Sequence, residues 1–296
     1  MSAQAVGGSG RTSSVEQNSP PSGLASTRGK RVDVSQCGRG RYPVAQYQAS
    51  SLQHSDSGRL SPTQAFAKNQ LATSSAPVPT TAVAAGTENE PSFDGMRDVA
   101  LLTSIHKFTE PHKQFDYNEA RRLMFGEVYN RSGVVTDVYT GRQIHTNSIP
   151  DGNNMNCEHT WPRSDRIEST GAVTDLHQLC PADSKANGLR GNLPFGEVAK
   201  VQWEQNGAKL GYDTTGKMVF EPPESHKGHV ARIMFYVAAT YNKTIPNDEE
   251  AVLKKWNDRN PPDPDELRCN TLATKEQGKP NPFVEHPELA DRIQDF

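Results

Sequence analysis

Residues 155–165, MNCEHTWPRSD, set a carboxylate directly before an imidazole, Glu158 then His159, with the thiol of Cys157 just ahead of them. Farther along, TDLHQLCPADSKANGLRGN adds Asp175, His177, Asn187, Arg190 and Asn192. Hydrolysis of a phosphodiester needs a group that deprotonates water, a cation that neutralises charge on a phosphorane-like transition state, and help for the leaving oxygen. A histidine with a near-neutral pKa suits the first task. An oxygen-ligated divalent ion suits the other two. Glu158 and Asn187 are hard oxygen donors of the kind such an ion accepts, and Arg190 can grip a phosphate oxygen bidentately. Neighbours in a regular strand point to opposite faces. Glu158 and His159 can therefore serve one site only where the strand twists, bulges or ends, and Pro162 is consistent with an ending.

The cysteines open rival readings. Cys157-x-His159 and His177-x-x-Cys180 supply two soft ligands and two imidazoles, a set suited to structural zinc. That would make the unit a binding module without hydrolysis, and it leaves Glu158, Asn187 and Arg190 without a task. A Cys157–Cys180 bridge would only staple two adjacent strands. Two buried thiols with no special role is the plainest reading of all.

Elements must carry these side chains to one place. DYNEARRLMFGEVYNR begins with a capping-box-like Asp116 and Glu119, then repeats Tyr117, Ala120, Leu123, Met124 and Val128 at helical spacing. VVTDVYTGRQIHT (134–146) reads as strand, Thr-Gly turn and strand. TDLHQLCPAD reads as a short strand ended by Pro181, and ADSKANGLRGN as a short helix closing near Gly191. The strongest helix is SHKGHVARIMFYVAATYNK (225–243), with Val230, Ile233, Met234, Val237 and Tyr241 as one apolar stripe. KVQWEQNGAKLGYDTTGKMVFEPP (200–223) reads as a hairpin-like excursion, DEEAVLKKWN as a helix, and NPPDPDEL as the lead into a last short helical stretch. Helices are expected to outnumber strands, and Trp161, Trp203 and Trp256 to anchor core or rim.

Composition bounds the rest. Only 33% of residues are hydrophobic, prolines number 21 and the mean hydropathy is -0.75, which points to a globular part diluted by a long polar segment. Residues 1–90 hold eight Lys/Arg and five Asp/Glu, a net of +3, against -6 for the remainder of the -3 total. A uniformly basic nucleic-acid coat is excluded, and a local basic patch would be needed instead. The four cysteines do not make a disulfide scaffold. No Sec-type apolar segment opens the chain and no eighteen-residue apolar run occurs. The first ninety residues, rich in Ser, Gly, Gln and Pro, cannot bury enough apolar surface to offset roughly 1–2 kcal/mol of backbone ordering per residue, and disorder is expected. LSPTQAFAKNQLA (60–72) is the one candidate helix there.

The run NCEHTWPRSD…DLHQLCPADSKANGLRGNLPFGEV resembles the endonuclease I family, secreted or periplasmic bacterial DNases of the ββα-metal (His-Me finger) class. EARRLMFGEVYN, VYTGR, EPPESHKGHVARIMFYVA, LKKWNDRNPP and NPFVEHPE extend the resemblance over roughly residues 98–295. It implies Glu158 and Asn187 as metal ligands and His159 as the base that activates water. Arg190 would contact phosphate beside the site. Asp175 and His177 match the family's Asp-Leu-His strand, in which Asp175 supports the site and His177 is a structural hydrogen bonder. The loop arginine of longer members has no clear counterpart; Arg142, Arg163 and Arg166 are the candidates.

The expected fold is thus α+β: a mainly helical nuclease domain, residues 93–296, carrying a small strand–strand–helix (ββα-metal) unit, preceded by a disordered region, residues 1–92. The expected activity is a metal-dependent, largely sequence-nonspecific endonuclease cutting DNA, with RNA as a second substrate. Mg²⁺ is the expected ion, with Mn²⁺, Ca²⁺ and Zn²⁺ as alternatives. The alternative function is a non-catalytic module with a Cys/His zinc site. A monomer is expected, with no membrane partner. Nine serines in the first fifty residues, and no Asp or Glu in the first fifteen, resemble the N-termini of type III secreted effectors. That implies export by a non-Sec route from the cytoplasm to a host cell, with a secretion chaperone as partner.

Overall fold

Asp116 caps a helix as its spacing predicts: its side chain accepts the Glu119 N–H at 2.9 Å. In the computed structural model, which describes residues 92–296 apart from 111, 165, 166, 168 and 169, that helix is α2, Tyr117–Leu123, preceded by α1, Asp98–Thr109. A π-type turn over Met124–Val128 extends α2 and buries Met124, Phe125 and Val128. The expected disorder of the N-terminal region and the helix at 60–72 lie outside the described residues.

Strands β1 (Asn130–Arg131), β2 (Val134–Thr136) and β3 (Gln143–His145) form an antiparallel sheet in that order. The β2–β3 turn is built by Asp137, not by Thr140-Gly141 alone. Its carboxylate accepts the N–H groups of Tyr139, Thr140 and Arg142 at 2.7–2.9 Å, which aims the Tyr139 side chain into the core.

Next come β4, Met155–His159, and β5, Leu179–Asp183, an antiparallel pair in unbroken register from Met155↔Asp183 to His159↔Leu179. Pro181 does not end β5 as expected; it lies inside the strand. Its carbonyl accepts from Val138 N–H at 2.9 Å on the side away from β4. Its nitrogen faces the same way, so no ladder bond is lost at this edge. Helix α3, Ser184–Arg190, follows at once, capped by Asp183 at one end and by Gly191 (φ 52°) at the other. The β4–β5 pair lies between two apolar clusters. Cys180, Ala182 and Ala186 join one, while Met155 and Leu179 join Leu123, Met124 and Phe125 in the other.

The excursion at 200–223 is a three-stranded meander, β6 (Lys200–Gln205), β7 (Ala208–Tyr212) and β8 (Met218–Glu221). Helix α4, Glu224–Tyr241, is more than a one-striped helix. Fourteen of its residues are buried, on all sides, so it is the central post of the domain. Even Arg232 is buried on it, paired with Glu266 at 2.6 Å. Helices α5 (Asn247–Arg259), α6 (Pro264–Gln277) and α7 (Pro282–Glu285) pack around that post. Helix α6 runs fourteen residues instead of the short stretch expected, because Asp263 caps it and Pro264 opens it at its first position. The described residues hold seven α-helices, three shorter helical turns and eight strands, so helical elements outnumber strands and exceed them in length. The class is α+β.

Candidate active site

The two faces of β4 carry different chemistry. Strand alternation puts Asn156 and Glu158 on the α3 side, where Glu158 is 2% exposed. Its Oε1 accepts from the Tyr139 hydroxyl at 2.8 Å and from Arg190 Nη1 at 2.8 Å. Burial pushes the Glu158 carboxyl up, while Arg190, Tyr139 and the His159 amide N–H hold it toward the ionised form. Arg190 also donates to the carbonyls of His159 (2.9 Å) and Thr160 (2.6 Å) and lies over the Phe195 ring. At 1% exposure its guanidinium is engaged with this protein and is not presented to a phosphate. The phosphate grip expected of Arg190 is therefore corrected: the residue ties Glu158 to the end of β4.

One turn earlier on α3, Asn187 donates through Nδ2 to Asn156 Oδ1 at 2.8 Å and to the Cys157 carbonyl at 3.4 Å. Its own Oδ1 receives no hydrogen bond among the described residues. Glu158 and Asn187 thus share a face, with carboxylate and amide oxygens as donors. That donor set fits a hard divalent cation that keeps part of its water shell.

His159 is the last residue of β4 and points to the opposite face. The ladder has no bulge there and His159 is still paired with Leu179, so β4 itself does not turn Glu158 and His159 to one face. The His159 Nε2 lies 3.0 Å from the Val173 carbonyl. A carbonyl only accepts, so Nε2 carries the hydrogen and Nδ1 is the nitrogen of the neutral ring that can take up a proton. The ring stacks on Tyr117 at 5.8 Å and 24°. Over the same Tyr117 ring lie the guanidinium carbons of Arg121, at 5.6 Å, and Arg163, at 5.5 Å.

Asp175 does not touch Glu158 or His159. It is 1% exposed and accepts from Tyr236 (2.8 Å), Tyr241 (2.6 Å), Gln277 (2.8 Å) and the His177 N–H (2.9 Å). It pins the end of the Gly171–Thr174 turn, the turn whose Val173 carbonyl meets His159. His177 donates through Nε2 to the Lys279 carbonyl at 2.7 Å, and burial lowers its pKa. In this position it acts as a structural hydrogen bonder.

The zinc reading fails on geometry. Cys157 faces Met124 and Cys180 faces Tyr129, on opposite sides of the hairpin, while each imidazole is bonded to a different carbonyl. No group of three or more metal-ligating His, Cys, Asp or Glu residues gathers among the described residues. The same opposition forbids a Cys157–Cys180 bridge, and both are free thiols. Burial pushes the Cys180 thiol up to about 12. Among the candidate loop arginines, Arg142 holds Asn154 and Asp183 at 3.1–3.2 Å, Arg163 lies by His159, and Arg166 lies outside the described residues.

Tyr117, Arg121, Tyr139 and Asn156 were not singled out from the sequence. Tyr117 was assigned to the apolar stripe of α2, and Tyr139 sat in the quoted VYTGR without a task. The i, i+4 spacing of Tyr117 and Arg121 was the available signal, since it stacks a guanidinium over a ring on one helix face.

The family model for endonuclease I matches residues 100–288. An extracellular ribonuclease of Bacillus subtilis (strain 168) is 30% identical over 225 residues, covering 68% of this chain and 76% of the relative. An Endonuclease-1 of Buchnera aphidicola subsp. Baizongia pistaciae is 31% identical over 137 residues, covering 45% and 52%. An extracellular deoxyribonuclease of Aeromonas hydrophila is 27% identical over 135 residues, covering 46% and 56%.

Proposed function

The chain belongs to the endonuclease I family and is an endonuclease, and from that premise we propose that it hydrolyses phosphodiesters of DNA and RNA at the end of β4 with His159 as general base. The observation that carries this reading is the bond between His159 Nε2 and the Val173 carbonyl. It fixes the tautomer whose Nδ1 can accept a proton from water and stabilises the imidazolium that results. Asp175 is a positioning residue two bonds removed, acting through the turn it anchors. Arg190 and Tyr139 oppose the burial that raises the Glu158 carboxyl. Glu158 and Asn187 would hold a divalent ion, with Mg²⁺ first and Mn²⁺, Ca²⁺ and Zn²⁺ after it. Such an ion supplies positive charge for the phosphorane-like transition state and the leaving oxygen. The strand–strand–helix unit of β4, β5 and α3 then acts as a ββα-metal unit, within a nuclease domain of residues 93–296.

Relatives named for RNA and for DNA, together with a site built to meet backbone phosphate, support low sequence specificity. Their names also support secretion. Among the described residues, no helix is long and apolar enough to cross a membrane. The test is degradation of plasmid DNA and of structured RNA by wild type and His159→Ala, with each divalent ion or with EDTA. Wild type should cut both with Mg²⁺, and His159→Ala should not. Intact substrates with every ion would sink the nuclease site; cleavage surviving in His159→Ala would sink only the base assignment.

A further inference from the structure

On the His159 face, Arg121 differs from the buried arginines in having no carboxylate partner among the described residues. Arg190 has Glu158 and Arg232 has Glu266 as carboxylate partners, at 2.8 and 2.6 Å. Arg122, the next residue, is exposed and holds Glu119 at 2.8 Å. Arg121 is half-buried, and among the described residues its shielded Nε has no hydrogen-bond partner and no ion pair or hydrogen bond engages its side chain. A permanently charged, partly desolvated guanidinium without an acceptor is unfavourable. Arg163 places a second positive charge beside the same Tyr117 ring, and that ring lies on His159. Two cations thus lie over the ring that stacks on His159, and Arg121 has no counter-charge among the described residues.

We propose that Arg121 binds a backbone phosphate of the nucleic-acid substrate, forming with Tyr117 and Arg163 a cationic flank on the His159 side of the cleavage site. The inference rests on the reading of His159 as the base, which brings a phosphodiester to this end of β4. The planar fork of Arg121 suits two phosphate oxygens at once. The Tyr117 ring, one helical turn away, orients the fork by stacking. Arg121 thereby takes the phosphate-gripping task that spacing had suggested for Arg190. The flank is sequence-blind, because it meets phosphate and no base edge.

The experiment measures binding of a fluorescent 16-base-pair DNA duplex, and an RNA duplex of equal length, to the full chain in EDTA between about 50 and 200 mM NaCl. Each phosphate contact adds roughly 0.9 to the slope of log affinity against log salt for DNA. Arg121→Met should lower the DNA slope by about that amount and weaken low-salt binding about fivefold to tenfold. Arg121→Lys, which keeps the charge, should retain the slope. Arg122→Met, which alters a neighbouring exposed arginine, should leave it unchanged. An unchanged slope in Arg121→Met, or an equal loss in Arg122→Met, overturns the proposal. Should Arg121→Met fail to fold, Arg121→Gln and Arg121→Lys decide it, and a slope lost in both or kept in both overturns it. Cleavage in EDTA, or cleavage by His159→Ala, would count against the site reading itself; a normal slope with His159→Ala inactive would remove Arg121 alone.

Discussion

Arg190 and Arg121 stand on opposite faces of one five-residue strand, and they do opposite things with the same functional group. Toward α3, Arg190 is buried and surrounded by oxygen acceptors from Glu158, His159 and Thr160. Toward α2, Arg121 is half-buried with an aromatic ring beneath it and no acceptor. A guanidinium whose Nη groups are held by three internal oxygen acceptors can fix geometry but can offer little to a ligand. One whose hydrogen bonds are unmet adds nothing to the ordering of the fold and is ready for an anion. Proximity to a catalytic motif in sequence does not distinguish these cases; the count of satisfied donors does.

The contrast can be broken in several places. The largest effect is expected at His159, where Ala should reduce cleavage by about 10²–10⁴-fold, the usual contribution of a general base. Single-turnover rates with plasmid check this, and a loss below tenfold would remove His159 from that role. The next effect falls on stability. Arg190→Met leaves Glu158 buried without its counter-charge and should cost roughly 3–5 kcal/mol in urea unfolding. Arg121→Met should cost less than about 0.5 kcal/mol, because it breaks no hydrogen bond or ion pair. Equal losses in the two variants would erase the distinction between the faces. Tyr139→Phe removes one hydrogen bond to a buried carboxylate and should destabilise by about 1.5–3 kcal/mol.

A smaller effect concerns acid. His226 packs edge-on against Tyr139 at 6.0 Å and beside His229 at 4.9 Å. Burial, aided by His229 and Arg232 and opposed by Glu266 and Asp263, lowers the His226 pKa well below its ordinary value. His229 is lowered to about 3, mainly by burial. Each is neutral when folded and protonates more readily when unfolded. Their contribution to stability is therefore complete above about pH 6.5 and is lost as pH falls toward the folded-state values. His229→Gln should move the acid-unfolding midpoint, followed by tryptophan fluorescence, to lower pH. A midpoint moved upward would contradict the sign. The smallest effect is expected from thiol chemistry. Reductant should not alter activity, and iodoacetamide should leave Cys180 unlabelled in the native protein, since its thiol is buried with its pKa pushed up to about 12.

Much of the frame was legible in the chain. Asp116 announced helix α2 because a side-chain acceptor three residues before a free N–H is a local device. The Glu158-His159 pair, Asn187 and the flanking motifs marked the candidate site for a similar reason, since residue type and spacing along one or two elements are local. Pro181 was misread because its effect depends on which edge of the strand faces a partner. The length of α6 was underestimated although Asp263 and Pro264 supply its start, since a proline-rich approach reads equally as a tail. The buried circumference of α4 was hidden as well, because period reveals one apolar face and not how many neighbours surround it.

By itself, then, the sequence determined the α+β class, the strand–strand–helix order, the family and the residue types at the site. Tertiary structure alone decided the partner of each charge. Arg190 meets Glu158, Asp175 meets two tyrosines and a glutamine, and Arg121, among the described residues, meets a ring. Local spacing sets where a side chain leaves the backbone. Whether its hydrogen bonds are then met within the protein depends on groups tens of residues away, brought there by packing.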